Sequence, residues 1–226
     1  MMKNPTTVRT DTEIEQLVRQ ELIWDDRVNS TDITVNVLNG VVTLTGTVPS
    51  YSQLSLASAD AWKINGVRDV DNLLTVRLPE TVTAPSDAQI ETNVENMLRW
   101  NATVDSAQID VTVVNGTVTL EGTVEDYWQK WRAEDLVADL SGVILVENHL
   151  TVVPTESFVD QDIAKDIEAA LERNLYVVAE DITVEVETGV VTLTGTVPTY
   201  HAHAEAYNAA MNTVGVVEVH NQITVA

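Results

Sequence analysis

The chain has no cysteine, which excludes disulfides, thiolate metal sites and cysteine nucleophiles. It has little aromatic content, with one Phe, five Trp and five Tyr in 226 residues. A folded core must therefore come mainly from Val, Ile, Leu and Ala. Basic residues are also scarce: 12 Lys and Arg stand against 35 Asp and Glu, a formal net charge of −23. Nucleic-acid binding, which neutralises phosphates with Lys and Arg, is excluded as the expected activity. Simple adhesion to anionic headgroups is disfavoured for the same reason. No apolar run reaches the roughly 18 residues of a membrane span. Met1 to Asp11 is polar and lacks the apolar stretch of a signal peptide. The expectation is a chain that stays in the cytoplasm, or a periplasmic one if a leader precedes it.

What is present is periodic. Glycines occur at 40, 46 and 66, at 116, 122 and 142, and at 189, 195 and 215, so successive copies are offset by 76 and then 73 residues. All nine glycines obey this register. Ile33, Ile109 and Ile182 match, as do Leu44, Leu120 and Leu193, Tyr51, Tyr127 and Tyr200, and Asn72, Asn148 and Asn221. Val41–Pro49, VVTLTGTVP, recurs unchanged at Val190–Pro198. A period this long exceeds most solenoid units, and each copy reads as a small domain with its own core. The expected domains are 9–78, 85–154 and 158–226. Net charge falls along them, from −4 over 1–80 to −9 over 81–155 and −10 over 156–226.

One copy reads as helix, strand, strand, helix, strand. Ile14, Val18 and Leu22 form one helical face, repeated by Ile90, Val94 and Leu98 and by Ile163, Ile167 and Leu171. Asp11, Asp87 and Asp160 stand three residues ahead of each stripe, where a side-chain oxygen is expected to cap the helix N-terminus. Ile33, Val35 and Val37 then alternate with polar residues, Asn39-Gly40 supplies a hairpin turn, and Val42, Leu44 and Val48 continue inward. Thr43, Thr45 and Thr47 occupy the other face, so one side of the sheet is expected to be open to water or a partner. The second helix carries small residues such as Ala57 and Ala61 and ends before Gly66. The last strand sets Val70, Asn72, Leu74 and Val76 on one face. Its crossover should be right-handed. Linkers over 77–86 and 153–159 contain Pro79, Pro85 and Pro154, which predicts limited motion between copies. The predicted fold class is α+β: three tandem αββαβ modules, each a three-stranded mixed sheet with two helices packed on one face.

These residues resemble the BON domain. The match rests on the Ile-x-Val-x-Val strand, Asn-Gly, Val-x-Leu-x-Gly-x-Val, the alanine-bearing helix, and Gly-Val-x-x-Val-x-Asn-x-Leu-x-Val. Here these are Ile33 to Val48 with Gly66 to Val76, and their two echoes. The resemblance covers nearly the whole chain. It implies the αββαβ fold and a non-enzymatic bacterial protein of osmotic or envelope stress, binding phospholipid, a membrane surface or another protein. Members with one such domain and a LysM module bind potassium, and the resemblance adds a cation-responsive sensor or buffer as the alternative function. With only Ala226 after Val225, a LysM module is not expected here.

Candidate chemistry is sparse. No GxxxxGK[ST] loop, GxSxG elbow or HExxH helix occurs, so no enzyme, catalytic residue or cofactor is expected. His201 and His203, two apart on a helix, do not share a face, which makes them poor metal ligands. Asp25-Asp26 and Glu180-Asp181 lack calcium-loop spacing. Trp24 and Trp100 take matching positions after the first helix, replaced by Arg173 in the third copy, and Trp128 and Trp131 occur in the second copy alone. These four tryptophans are the candidate interaction surface; for Trp24 and Trp100, packing between domains is the favoured reading. Asn72, Asn148 and Asn221 should bond the backbone internally. Tyr51, Tyr127 and Tyr200 should pack with a solvated hydroxyl.

Overall fold

The computed structural model describes residues 9–79 and 84–225. Most of the polar stretch Met1 to Asp11 and the middle of the first linker lie outside the described residues. Each copy begins with a 14-residue helix: α1 (Asp11–Trp24), α3 (Asp87–Trp100) and α5 (Asp160–Arg173). The first two start with a capping box, Thr10 with Glu13 and Ser86 with Gln89, which satisfies backbone N–H groups that the first turn leaves free. The apolar stripe of each helix is buried. Ile14, Val18 and Leu22 are 2% exposed or less, as are Ile90, Val94 and Leu98.

A hairpin follows in every copy: β1 (Ile33–Leu38) with β2 (Val41–Val48), β4 (Ile109–Val114) with β5 (Thr117–Val124), and β7 (Ile182–Glu187) with β8 (Val190–Val197). The turns need two consecutive left-handed residues. Asn39 and Gly40 have φ of 54° and 79°, a conformation that Asn-Gly adopts at low cost. Thr188 takes φ 53° in the third copy. Gly46 has a different reason: a Cβ there would lie 1.9 Å from the Asp32 carbonyl oxygen.

The second helices are α2 (Ser52–Trp62), α4 (Tyr127–Ala138) and α6 (Tyr200–Met211), and the last strands are β3 (Asp69–Val76), β6 (Leu145–Val152) and β9 (Glu218–Val225). Each sheet has the order hairpin strand, return strand, last strand, the first pair antiparallel and the second parallel. Both helices pack on one face, and small residues let the second lie close: Ala57, Ala61, Ala133, Ala206 and Ala210 are fully buried. The opposite face stays exposed through Thr34, Asn36, Asp71 and Leu73. Three separate apolar cores result, one per module. Among the described residues no helix is long and apolar enough to cross a membrane.

The aspartates ahead of each stripe do not cap their own helix, contrary to expectation. They stand in its first turn and accept hydrogen bonds from the hairpin turn. Asp11 takes the N–H of Asn39 at 2.8 Å and of Gly40 at 2.9 Å. Asp87 takes Asn115 and Gly116 at 2.8 and 3.0 Å, and Asp160 takes Thr188 and Gly189 at 2.8 and 2.9 Å. A left-handed pair points two successive N–H groups the same way, and a carboxylate matches both. The inward asparagines behave as expected in the first two modules: the Asn72 and Asn148 side-chain amides donate to the Leu54 and Lys130 carbonyls.

Replacing Asp87 by Ala removes two charge-assisted bonds and should cost module 2 about 1–3 kcal/mol. Hydrogen exchange at Asn115 and Gly116 should accelerate, while the Asn39 and Thr188 turns stay protected.

Candidate functional site

The modules meet through the tyrosine that opens or precedes each second helix. Tyr51 of module 1 packs against the core of module 2. There its hydroxyl lies beside Glu134, and burial, then the Glu134 charge, raises its pKa. Tyr127 of module 2 packs against the core of module 3, and its hydroxyl is 3.2 Å from that of Tyr207. Burial, helped by this bond, pushes the Tyr207 pKa up. Tyr200 of module 3 stacks on Trp62 of module 1, with ring centroids 4.4 Å apart and planes 9° from parallel. The three tyrosines are therefore inter-module contacts, and the Tyr51 and Tyr127 hydroxyls have side-chain partners across the joints.

The order of contacts is cyclic: module 1 enters 2, module 2 enters 3, and module 3 enters 1. A head-to-tail contact repeated until it returns to its start makes a ring. Glu134 and Tyr207, the partners of Tyr51 and Tyr127, are equivalent in register, and the matching position in module 1 is Ser58, while Tyr200 takes Trp62 instead. These residues drew no attention in the sequence because they differ between copies. The signal that finds them is that variation, at one position of an otherwise constant helix.

The joint between modules 3 and 1 contains a further buried polar atom. His203 stacks with Tyr200 at 5.3 Å and with Trp62 at 6.5 Å, and its Nδ1 is buried without a hydrogen-bond partner. Burial lowers its pKa from the ordinary 6.5. His203 thus belongs to a joint, while His201 lies edge-on to Tyr176. In module 1, between α1 and α2, Asp60 is 1% exposed and accepts from the Lys63 ammonium at 2.6 Å, which also reaches Glu21 at 3.2 Å. Burial outweighs the lysine and raises the Asp60 pKa. The other copies have Leu136 and Ala209 there.

The sequence-selected tryptophans fall into two places. Trp24 and Trp100 are 83% and 80% exposed, which overturns the reading of packing between domains. Each lies two residues beyond the last buried stripe position, Leu22 or Leu98, hence roughly 200° around the helix and away from the core. In module 3 the same end carries Arg173 and exposes Leu175 (95%) and Tyr176 (63%). Trp128 and Trp131 lie on α4, half-buried and 46% exposed respectively, with Trp131 one helical turn before Glu134. The structure does not gather all four into one patch: Trp24 and Trp100 mark helix ends, Trp128 and Trp131 the second helix of module 2.

The neutral, buried state of His203 sets a pH dependence. Its folded pKa is below 6.5, so its contribution is fully present above 6.5 and is lost as pH falls through 6.5 toward the folded value. His203→Phe keeps the stack without titrating. Wild type should lose urea stability relative to H203F between pH 7.5 and 5.5, and a constant difference would contradict the assignment.

Known proteins bear on this architecture. The BON domain model matches residues 10–77, 86–154 and 159–226. Osmotically-inducible protein Y of Escherichia coli (strain K12) is 32% identical over 143 residues, covering 62% of this chain and 71% of that protein. Two structures of CdsD, a structural protein of the type III secretion system of Chlamydia trachomatis, align with 16% and 15% identity. The first covers 100% of both chains and the second 95% of this chain and 92% of that one, with TM-scores of 0.27 and 0.26 that are too low to bear on the fold. The matched residues span each αββαβ unit from the first-helix stripe to the last strand, so the chain belongs to the BON-domain family, with three copies of the domain in tandem.

Proposed function

We propose that this protein is a non-enzymatic binding protein of osmotic or envelope stress that docks on a membrane surface through the exposed ends of its first helices. The observation that carries the reading is the exposure of Trp24, Trp100 and Leu175–Tyr176 at equivalent ends of three modules. A cyclic arrangement puts equivalent ends on one rim, so three apolar tips can meet one surface together. Multivalent contact multiplies weak individual affinities. Trp and Tyr are suited to the boundary between headgroups and hydrocarbon. The link to osmotic stress draws on the likeness to osmotically-inducible protein Y.

The charge of −23 selects among surfaces. Anionic headgroups repel it, so the apolar tips favour a zwitterionic one. The cation-responsive alternative has only diffuse acidity to draw on: among the described residues no three His, Asp or Glu side chains gather as a metal site. The half-buried Trp128 and exposed Trp131 remain a secondary contact on module 2 in this reading.

Co-sedimentation with phosphatidylcholine vesicles tests the reading. The wild-type chain should bind, and phosphatidylglycerol should weaken binding. Replacing Trp24 and Trp100 together by Ala should reduce it about tenfold or more, since each loses an interfacial anchor of order 1 kcal/mol or more. Absence of binding to both vesicle types would remove the membrane reading.

A further inference from the structure

The three joints share a geometry but are filled differently. Where Tyr51 enters module 2 it meets Glu134, and Trp131 stands one helical turn earlier. Where Tyr127 enters module 3 it meets Tyr207. The matching positions in module 1 are Ser58 and Ser55. Neither side chain reaches far beyond its Cβ, and the incoming Tyr200 is drawn to Trp62. A cleft of about 420 Å³ is left between the modules, lined by Tyr51, Leu54, Ser55, Ser58, Asn72 and Tyr200 among others.

We propose that this cleft binds a neutral, hydroxyl-bearing small molecule of sugar size, held between modules 3 and 1. Its volume falls within the roughly 300–1,000 Å³ of small-molecule sites. No charged side chain lines it, although the chain carries −23. An ionic ligand would surrender hydration with no opposite charge to replace it. The Tyr51 hydroxyl is committed to Glu134, which leaves Ser55, Ser58 and Tyr200, whose hydroxyls each donate and accept and so match an alcohol group that also does both. Leu54, Leu74 and the tyrosine rings supply apolar wall for the C–H face of such a molecule. The Asn72 amide is already committed, donating to the Leu54 carbonyl and accepting from the Leu74 N–H, so Asn72 shapes the floor while the hydroxyls do the recognition.

The position has a consequence. Modules 1 and 2, and 2 and 3, are joined by the chain, while modules 3 and 1 are held by side-chain contacts alone. A ligand bridging that joint favours the closed ring through its preference for the state that contains the site. The site is separate from the helix-end rim, and loss of vesicle binding leaves it untouched.

The test is a titration of the isotopically labelled full chain with glucose and maltose, followed by backbone amide shifts. Saturable shifts are expected at Ser55, Ser58 and the residues around Tyr200, with dissociation constants near millimolar, and glucuronate should bind more weakly. Ser58→Tyr, which copies the filling of module 3, should weaken binding about tenfold or more. If that variant fails to fold, Ser58→Glu, copying module 2, serves instead. The proposal is overturned by no saturable shift for either sugar up to about 100 mM, by equal shifts in the filled variant, or by glucuronate binding as tightly as glucose. A filled variant that is more stable than a wild type indifferent to sugars would mark the cleft as a packing defect and overturn it equally.

Discussion

The tertiary arrangement depends on one constraint: every module passes a tyrosine into its neighbour, and the third has only the first to receive its own. Tyr51 and Tyr127 reach Glu134 and Tyr207, and Tyr200 finds Trp62. An aromatic ring carries a large apolar area at small entropic cost, and its hydroxyl selects a polar partner. Three such contacts turn beads on a proline-bearing chain into a closed body. Where Glu134 and Tyr207 fill two of the joints, Ser58 leaves a cleft at the third.

Within each module an analogous economy operates. The first helix and the hairpin turn are 28 or 29 residues apart in sequence, yet one aspartate holds the two turn N–H groups in all three copies. That bond fixes the helix against the end of the hairpin. The apolar stripe is then positioned over the sheet, where Val18, Val94 and Ile167 are completely buried. Small residues on the second helix complete the layer. The repeat of the bond explains why Thr188 can replace Asn in the third turn: the carboxylate of Asp160 supports a backbone shape that threonine alone disfavours.

The sequence made the modules legible because their determinants are local. Glycine spacing, the i, i+4, i+8 stripes and the Asn-Gly turns each report on neighbours within a helix or hairpin. The inward Asn72 and Asn148 were legible too, since a buried amide must find a partner. An Asp before a helical stripe looks like a cap in sequence, whereas the partners of these aspartates are distant in the chain. Size and hydrophobicity suggest packing for Trp24 and Trp100, while their angular position, away from Leu22 and Leu98, leaves them exposed. The joints were invisible for a different reason. Shared residues define the fold, and the tyrosines are shared, but what receives them differs between copies. Ser58, Glu134 and Tyr207 acquire meaning once the ring places them together.

The functional reading follows from closure, since a flexible string would present its helix ends independently. The cysteine-free sequence allows closure to be measured with spin labels on introduced cysteines. Asn36, Thr112 and Glu185 are equivalent, exposed positions on the first hairpin strand of each module. Labelled in pairs and measured by electron–electron double resonance, a ring requires three similar, narrow distance distributions. A distribution for the 36 and 185 pair that is longer and broader than the other two would show an open chain and contradict the account.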